Sequence, residues 1–456
     1  MKKWLGLAAT ALAAAGLFQA STVEAAQDPI EVEKVEAQNT YEEKEPNDGR
    51  EDATQVPLNS YISGEFTDED VDYYRVEVNG DTTVQFTFHL FEYVEEKTDM
   101  KFQGRLLTEQ GEVLPPYSMN GNEYGYIESH LLDPGVYYMK VWDKADLADG
   151  STYYLGTGAE LLDASAERIW GVDRYWTAAN IAKYGDADRY PSENVVLATG
   201  EDFPDALAGA PLAEHLDAPI LLTREDKLPG ITEQVMNSFD TEKVTILGGT
   251  GAVSADVETY LENDLGMEVD RISGKNRYET AAAIADRLPE SDQAVVAYGR
   301  NFPDALSIAP IAAGKGMPIL LTEQDELPEA TEQSLKNYGE SIAVGGTGVI
   351  SSDVLADMPK AERISGKNRY LTSLAVVEHF NVGGVKASFA TGSHFADALA
   401  GSVNDVDQPL LLTPKDELNE EIKAYVKEKE MFRFNIFGGT AAVEDSVEQE
   451  LEALYE

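Results

Sequence analysis

Cysteine is absent from this 456-residue chain, which removes disulfide scaffolds, thiolate metal sites and a lipidated cysteine anchor together. Exported chains without disulfides suit a Gram-positive surface, which has no periplasmic oxidation system. Histidine is nearly absent too. The five (His89, His130, His215, His379 and His394) are scattered, where a catalytic zinc site needs ligands converging on one metal with an open position. Basic residues are scarce, with 35 Lys and Arg against 83 Asp and Glu and a net charge of −48. A chain so acidic lacks the positive field that binds nucleic-acid phosphates. It fits an envelope protein kept in solution by self-repulsion and screened by salt. There is no Gly-x-Ser-x-Gly elbow and no His-Glu-x-x-His. The Gly-Gly-Thr-Gly stretches lack the third glycine and the distant acid of a dinucleotide site. The expectation is a protein that is not an enzyme and requires no cofactor.

Long apolar runs are also missing after the N-terminus. Lys2-Lys3, the apolar run Trp4 to Phe18 and the exit Val23-Glu24-Ala25-Ala26 read as a signal peptide over 1–26. The run is too short to span a bilayer, so no membrane association is expected after cleavage. Residues 27–42, polar and acidic, read as a linker.

Residues 43–160 carry short alternating runs such as Tyr73-Tyr-Arg-Val-Glu-Val78 and Gly135-Val-Tyr-Tyr-Met-Lys-Val-Trp142, broken by Asn79-Gly80 and Asp133-Pro-Gly135. This period-two texture predicts an antiparallel β-sandwich. Glu45-Pro-Asn-Asp48, Asp70-Val-Asp-Tyr-Tyr74 and Gly135-Val-Tyr-Tyr138 resemble the pre-peptidase C-terminal (PPC) domain family. The resemblance implies a jelly-roll-like fold and, in some relatives, Ca²⁺ on the acidic N-terminal edge. The matching residues are Glu43, Glu45, Asn47 and Asp48, with Asp68, Asp70 or Asp72 to complete the shell. Clustered oxygen donors suit a hard cation. The alternative is a plain turn at Pro46-Asn47-Asp48-Gly49 beside solvated aspartates.

Beyond Asp163 one word occurs three times at a domain-sized interval: Arg168-Ile-Trp-Gly-Val-Asp-Arg-Tyr175, Arg271-Ile-Ser-Gly-Lys-Asn-Arg-Tyr278 and Arg363-Ile-Ser-Gly-Lys-Asn-Arg-Tyr370. Each is followed by a helical pattern and an apolar strand. A turn such as Gly299-Arg-Asn-Phe-Pro-Asp-Ala-Leu306 comes next, then Pro318-Ile-Leu-Leu-Thr322 and Gly345-Gly-Thr-Gly-Val-Ile-Ser351. Unbroken apolar strands alternating with helices predict three tandem α/β domains with mostly parallel sheets, over 163–266, 267–358 and 359–456. On this pattern each unit can be compact by itself.

Together these words resemble the cell wall-binding repeat 2 family. The resemblance implies three repeats in a pseudo-threefold arrangement, attached noncovalently to an anionic secondary polymer of the wall of a Gram-positive cell. It implies a secreted protein at the cell surface whose repeats are not catalytic. Some relatives are autolysins or their modifiers, so the second reading is an accessory factor of a secreted amidase. Repeat 1 departs with Trp170 and Asp173, and repeat 3 with Ala396 and Ala441-Ala-Val-Glu444. Repeat 2 is thus the best formed and repeat 3 the least.

Binding an acidic polymer calls for local cations. Arg168, Arg174, Arg271, Lys275, Arg277, Arg363, Lys367 and Arg369 are the candidates, because guanidinium forks match phosphate and carboxylate. The competing role for the arginines is pairing with Asp205, Asp304 and Asp397 to lock the repeats. Those aspartates suit the first turn of a helix better than acid–base work. Tyr175, Tyr278 and Tyr370 either stack on sugars or pack between repeats.

Overall fold

The computed structural model describes residues 40–455, apart from 67–70, 81–82, 93–101, 117, 123–124, 144–150, 162–163, 185–191, 405 and 407. The signal peptide, most of the linker, and Asp68 and Asp70 lie outside the described residues. The chain divides into two compact units, residues 1–162 and 163–456.

In the first unit, Val71–Val78 buries every second residue, Asp72, Tyr74, Val76 and Val78. That strand lies in a four-stranded sheet in the order 54–55, 71–78, 135–143, 102–108. A six-stranded sheet runs 40–42, 60–66, 151–161, 84–92, 125–132, 118–122. Side chains of both sheets share one core, with Tyr74, Val76, Leu106, Met139 and Val141 from the smaller and Ile62, Phe86, Phe88, Leu90 and Leu155 from the larger. Pairing is antiparallel except at two edges, where the short strands Thr40–Glu42 and Thr54–Gln55 run parallel to their neighbours. The first of these extends into the stretch expected to be linker, because its backbone pairs with the strand Ser60–Phe66.

The second unit holds three four-stranded sheets, all parallel. Each has an apolar central strand, Asn194–Thr199, Gln293–Tyr298 or Lys386–Thr391. The sheets cross the repeat boundaries expected from the sequence. The strand Glu268–Ile272, which opens repeat 2, pairs with Lys243–Leu247 of repeat 1. Glu362–Ile364, which opens repeat 3, pairs with Glu340–Val344 of repeat 2. Ser165–Ile169, which opens repeat 1, pairs with Arg433–Phe437 of repeat 3 and closes the ring. Each repeat therefore covers a sheet edge of the preceding one, an edge that would otherwise expose unpaired N–H and C=O groups. A single repeat is not self-contained.

Candidate functional site

The recurring word explains itself residue by residue. Its isoleucine is buried in the edge strand (Ile169, Ile272, Ile364). Its Asn or Asp caps the next helix. Asn276 Oδ1 accepts from the N–H groups of Tyr278 and Glu279 at 3.0 Å, and Asn368 and Asp173 do the same in their repeats. Its glycine must lack a side chain, since a Cβ on Gly274 would sit 2.2 Å from Glu279 Cβ. A Cβ on Gly171 would meet Trp176 Cβ at the same distance.

The first arginine of each word is turned inward. Arg271 donates to Gly248 O at 2.8 Å and pairs with Glu258 at 2.7 Å, with 12% of its side chain exposed. Arg168, 9% exposed, reaches Gly438 O, Val443 O and Glu448. Arg363 takes Gly345 O at 2.6 Å and Ile350 O at 2.8 Å. Burial lowers the Arg363 pKa, as no carboxylate stands where the other two arginines have one. Each guanidinium clamps the Gly-Gly-Thr turn of the preceding repeat. Of the two roles open to Arg168, Arg271 and Arg363, this geometry supports locking. Their partners Glu258 and Glu448 carried no signal in the repeat pattern, because repeat 2 has Leu355 at that place.

The second arginine also has internal partners. Arg277 donates to Gly299 O at 2.6 Å, and Arg174 and Arg369 donate to Gly200 O and Gly392 O. Arg174 lies 5.9 Å from the ring of Phe395 in repeat 3, and Arg369 lies 5.9 Å from that of Phe302 in repeat 2. These phenylalanines meet Phe203 in a triangle with centroid separations of 5.7, 5.8 and 6.3 Å. The triangle escaped the sequence reading, although the Phe of each Phe-x-Asp-Ala-Leu word was its signal. Behind it stand the aspartates. Burial pushes Asp304 and Asp397 up to about 6, while Arg369 and Arg174 pull the other way. Asp205, Asp304 and Asp397 press against Gly248, Gly345 and Gly438, whose φ values of +103°, +124° and +110° favour glycine.

The tyrosines are engaged as well. Tyr278 donates to Glu323 at 2.6 Å, and burial pushes its pKa up to about 12. Tyr175 is buried under Arg224, whose guanidinium lies 4.8 Å from its ring. Packing is what these contacts supply.

Between repeats 1 and 2 a cavity of about 530 Å³ is lined by Glu201, Asp202, Asp205 and Glu225 on one side and Lys275, Asn276 and Arg277 on the other. Gly249, Gly251 and Gly274 leave it open at the backbone. Lys275 and Lys367 are exposed. The matching positions of repeat 2 are Arg300, Asn301, Asp304 and Gln324, and those of repeat 3 are Lys367, Asn368 and Arg369. Arg300 is 64% exposed and paired with Glu323 at 2.5 Å. The second junction is thus more basic than the first.

In the first unit, oxygens of Glu43, Glu45 and Asp72 lie within 4.8 Å of one another. Asp72 and Asn47 are fully buried, and the Asn47 amide NH2 donates to Asp72 Oδ1 at 2.9 Å and to Glu45 Oε2 at 3.3 Å. Tyr74 donates to Glu43 at 2.7 Å and Tyr153 donates to Asp72. Burial and these carboxylates raise both phenol pKa values, which keeps the hydroxyls protonated as donors. Asp48 is exposed and outside this group.

The cell wall binding domain 2 family model matches residues 168–258, 271–355 and 363–448, more than half of the chain. The chain is 35% identical over 297 residues to the N-acetylmuramoyl-L-alanine amidase LytC of Bacillus subtilis (strain 168), covering 64% of this chain and 59% of that protein. It is 33% identical over 305 residues to the amidase enhancer of the same organism, covering 66% and 41%. It therefore spans less than two thirds of either relative. Among solved structures, Cwp8 from Clostridium difficile superposes with a TM-score of 0.57 at 30% identity, over 65% of this chain and 52% of that one. Cwp6 from the same organism gives 0.61 at 22% identity over 89% and 67%, a likeness of fold.

Proposed function

The chain belongs to the cell wall binding domain 2 family, and from that premise we propose that it is a wall-anchored display protein without catalysis of its own. Cell-wall binding is what its three matched repeats provide. The finer reading is that the repeats stand around a pseudo-threefold axis and grip an anionic wall polymer in the clefts between them. The observation that carries it is the open, glycine-floored cleft between repeats 1 and 2, lined on one side by Lys275 and Arg277, together with the more basic residues at the matching positions of repeats 2 and 3. At those positions Lys367, and Arg300 through the Nη1 left over from its pair with Glu323, offer charge-assisted hydrogen bonds to phosphate or carboxylate. The inward arginines hold the clefts in shape. The chain is exported by its signal peptide and displays the two-sheet unit, read as a jelly-roll-like β-sandwich. Co-sedimentation of the full chain with native walls, and with walls stripped of anionic polymer, tests this. Binding should fall sharply on stripped walls, and equal binding to both refutes the polymer mechanism.

A second reading, an accessory factor acting on a wall amidase, is favoured by the likeness to the amidase enhancer over 66% of this chain. Its test is amidase turnover on walls with and without the protein, where no change removes it.

For the first unit we propose a Ca²⁺ site. Glu43, Glu45 and Asp72 would hold the ion, with the Asn47 amide turned to present its oxygen, since a buried aspartate flanked by half-buried Glu43 and exposed Glu45 beside a buried amide is a donor set for a hard cation. Bound Ca²⁺ would neutralise that charge and tie the N-terminal edge to the sheet. Chelation should lower the melting temperature of this unit. An unchanged melt, with no heat on Ca²⁺ titration, overturns the site.

A further inference from the structure

The junction that closes the ring, between repeats 3 and 1, differs from the other two in chemistry. Where repeats 2 and 3 have Ser273 and Ser365, repeat 1 has Trp170. Val172 replaces Lys275 and Lys367, and Trp176 replaces Glu279 and Leu371. These side chains are not hidden, with Trp170 51%, Val172 82% and Trp176 41% exposed. The Trp170 indole borders the place where the first junction has its cleft, and Trp176 stands one helical turn on from Val172. Trp170 lies against Gly439, since a Cβ there would be 3.3 Å from its ring, and the backbone and Cβ of Trp176 lie over Gly171, as those of Glu279 lie over Gly274. The counterparts of those two glycines, Gly249 and Gly274, line the cavity of the first junction.

The backbone at both tryptophans is anchored. Asn180 donates to Trp170 O at 2.6 Å, and Asp173 caps the helix at the N–H of Trp176. Opposite them, the acidic pair Glu201 and Asp202 of the first junction is replaced by exposed Ser393 and His394.

Resting on the wall-binding reading, we propose that this closing junction is a sugar-stacking subsite that takes an uncharged pyranose ring of the wall glycan. A pyranose offers an apolar C–H face and a rim of hydroxyls. The C–H face suits the negative face of an indole, and the rim suits Ser393 and His394. Val172 removes the lysine of the other two junctions, and Lys415, at the position of Glu225 and Gln324, is paired with Glu444 at 3.3 Å, so no unpaired lysine replaces it. One polymer would then be read by charge at one junction and by ring stacking at another.

The test uses the full chain with Trp142→Phe, so that Trp170 and Trp176 dominate emission from residues 27–456. Fluorescence is titrated with tetrasaccharides of N-acetylglucosamine, glucose and mannose. A saturable shift with at least one sugar is expected. Trp170→Ala and Trp176→Ala should each weaken it roughly tenfold, and Trp176→Tyr should retain most of it. Melting curves of both alanine variants check that the fold persists, as expected for half-exposed side chains. Absence of a shift with all three sugars overturns the proposal, as does an unchanged shift in both alanine variants. Self-association in sedimentation velocity that Trp170→Ala abolishes would assign the patch to a second copy and overturn it too. A sugar shift without wall co-sedimentation would uphold the subsite and remove the wall reading, and wall binding without any shift would do the reverse.

Discussion

The centre of the ring and its junctions are made from the same repeat, yet they have diverged to different degrees. Around the phenylalanine triangle all three repeats keep Phe, Asp and Arg: Phe203, Phe302 and Phe395; Asp205, Asp304 and Asp397; Arg174, Arg277 and Arg369. At the junctions the corresponding positions read Glu201, Arg300 and Ser393, or Lys275, Lys367 and Val172. A side chain that must fit two copies at once has no freedom to drift. A side chain that faces a cleft has that freedom, and three copies of one fold then give three surfaces. The arginines, which a charge argument alone assigns to the ligand, belong mostly to the first class.

The largest effect should come from breaking the centre. Phe302→Ala should cost about 3–5 kcal/mol in denaturant unfolding, as for a buried aromatic removed from a packed cluster. Arg271→Ala should follow at about 2–3 kcal/mol, because it strands Gly248 O and Glu258 in a site that is mostly dry. Arg271→Ala does not touch the second junction, so for that variant any loss of wall binding should track the loss of fold.

The centre also titrates. Folded Asp304 and Asp397 hold their protons more tightly than in the unfolded chain, so their contribution to stability is full below about pH 4 and is lost as pH rises toward about 6. Asp304→Asn should flatten that part of the pH profile in urea unfolding. A profile identical to that of the parent would show that this carboxyl is not shifted. The smallest expected change is a gain. Asn404 is buried with no hydrogen-bond partner for its amide among the described residues, where repeats 1 and 2 have Leu212 and Ile311. Asn404→Leu should stabilise the chain by about 1 kcal/mol.

Much of this architecture could be read from the sequence, because apolar runs such as Pro318-Ile-Leu-Leu-Thr322 and the thrice-used words fix strand type and repeat number. The exchange of edge strands could not. A period shows where a copy begins but not which sheet its first strand joins, and Ile272 satisfies the burial pattern in either. The roles of Arg168, Arg271 and Arg363 were undecidable for a related reason. Their acceptors are mostly backbone carbonyls of turns distant in sequence, and carbonyls leave no mark in a sequence. In the first unit, the inward position of Asp72 follows from its spacing to Tyr74 and Val76, so its place among buried oxygens was legible in the alternation.

The division of labour between centre and junctions meets its most direct test in salt-dependent wall binding by the Arg300→Gln and Lys367→Gln double variant. These side chains are exposed, so the melting curve should match that of the parent. Wall affinity at low ionic strength should fall roughly tenfold and lose most of its salt dependence. Parental affinity with the parental salt dependence, in a folded double variant, would contradict the account.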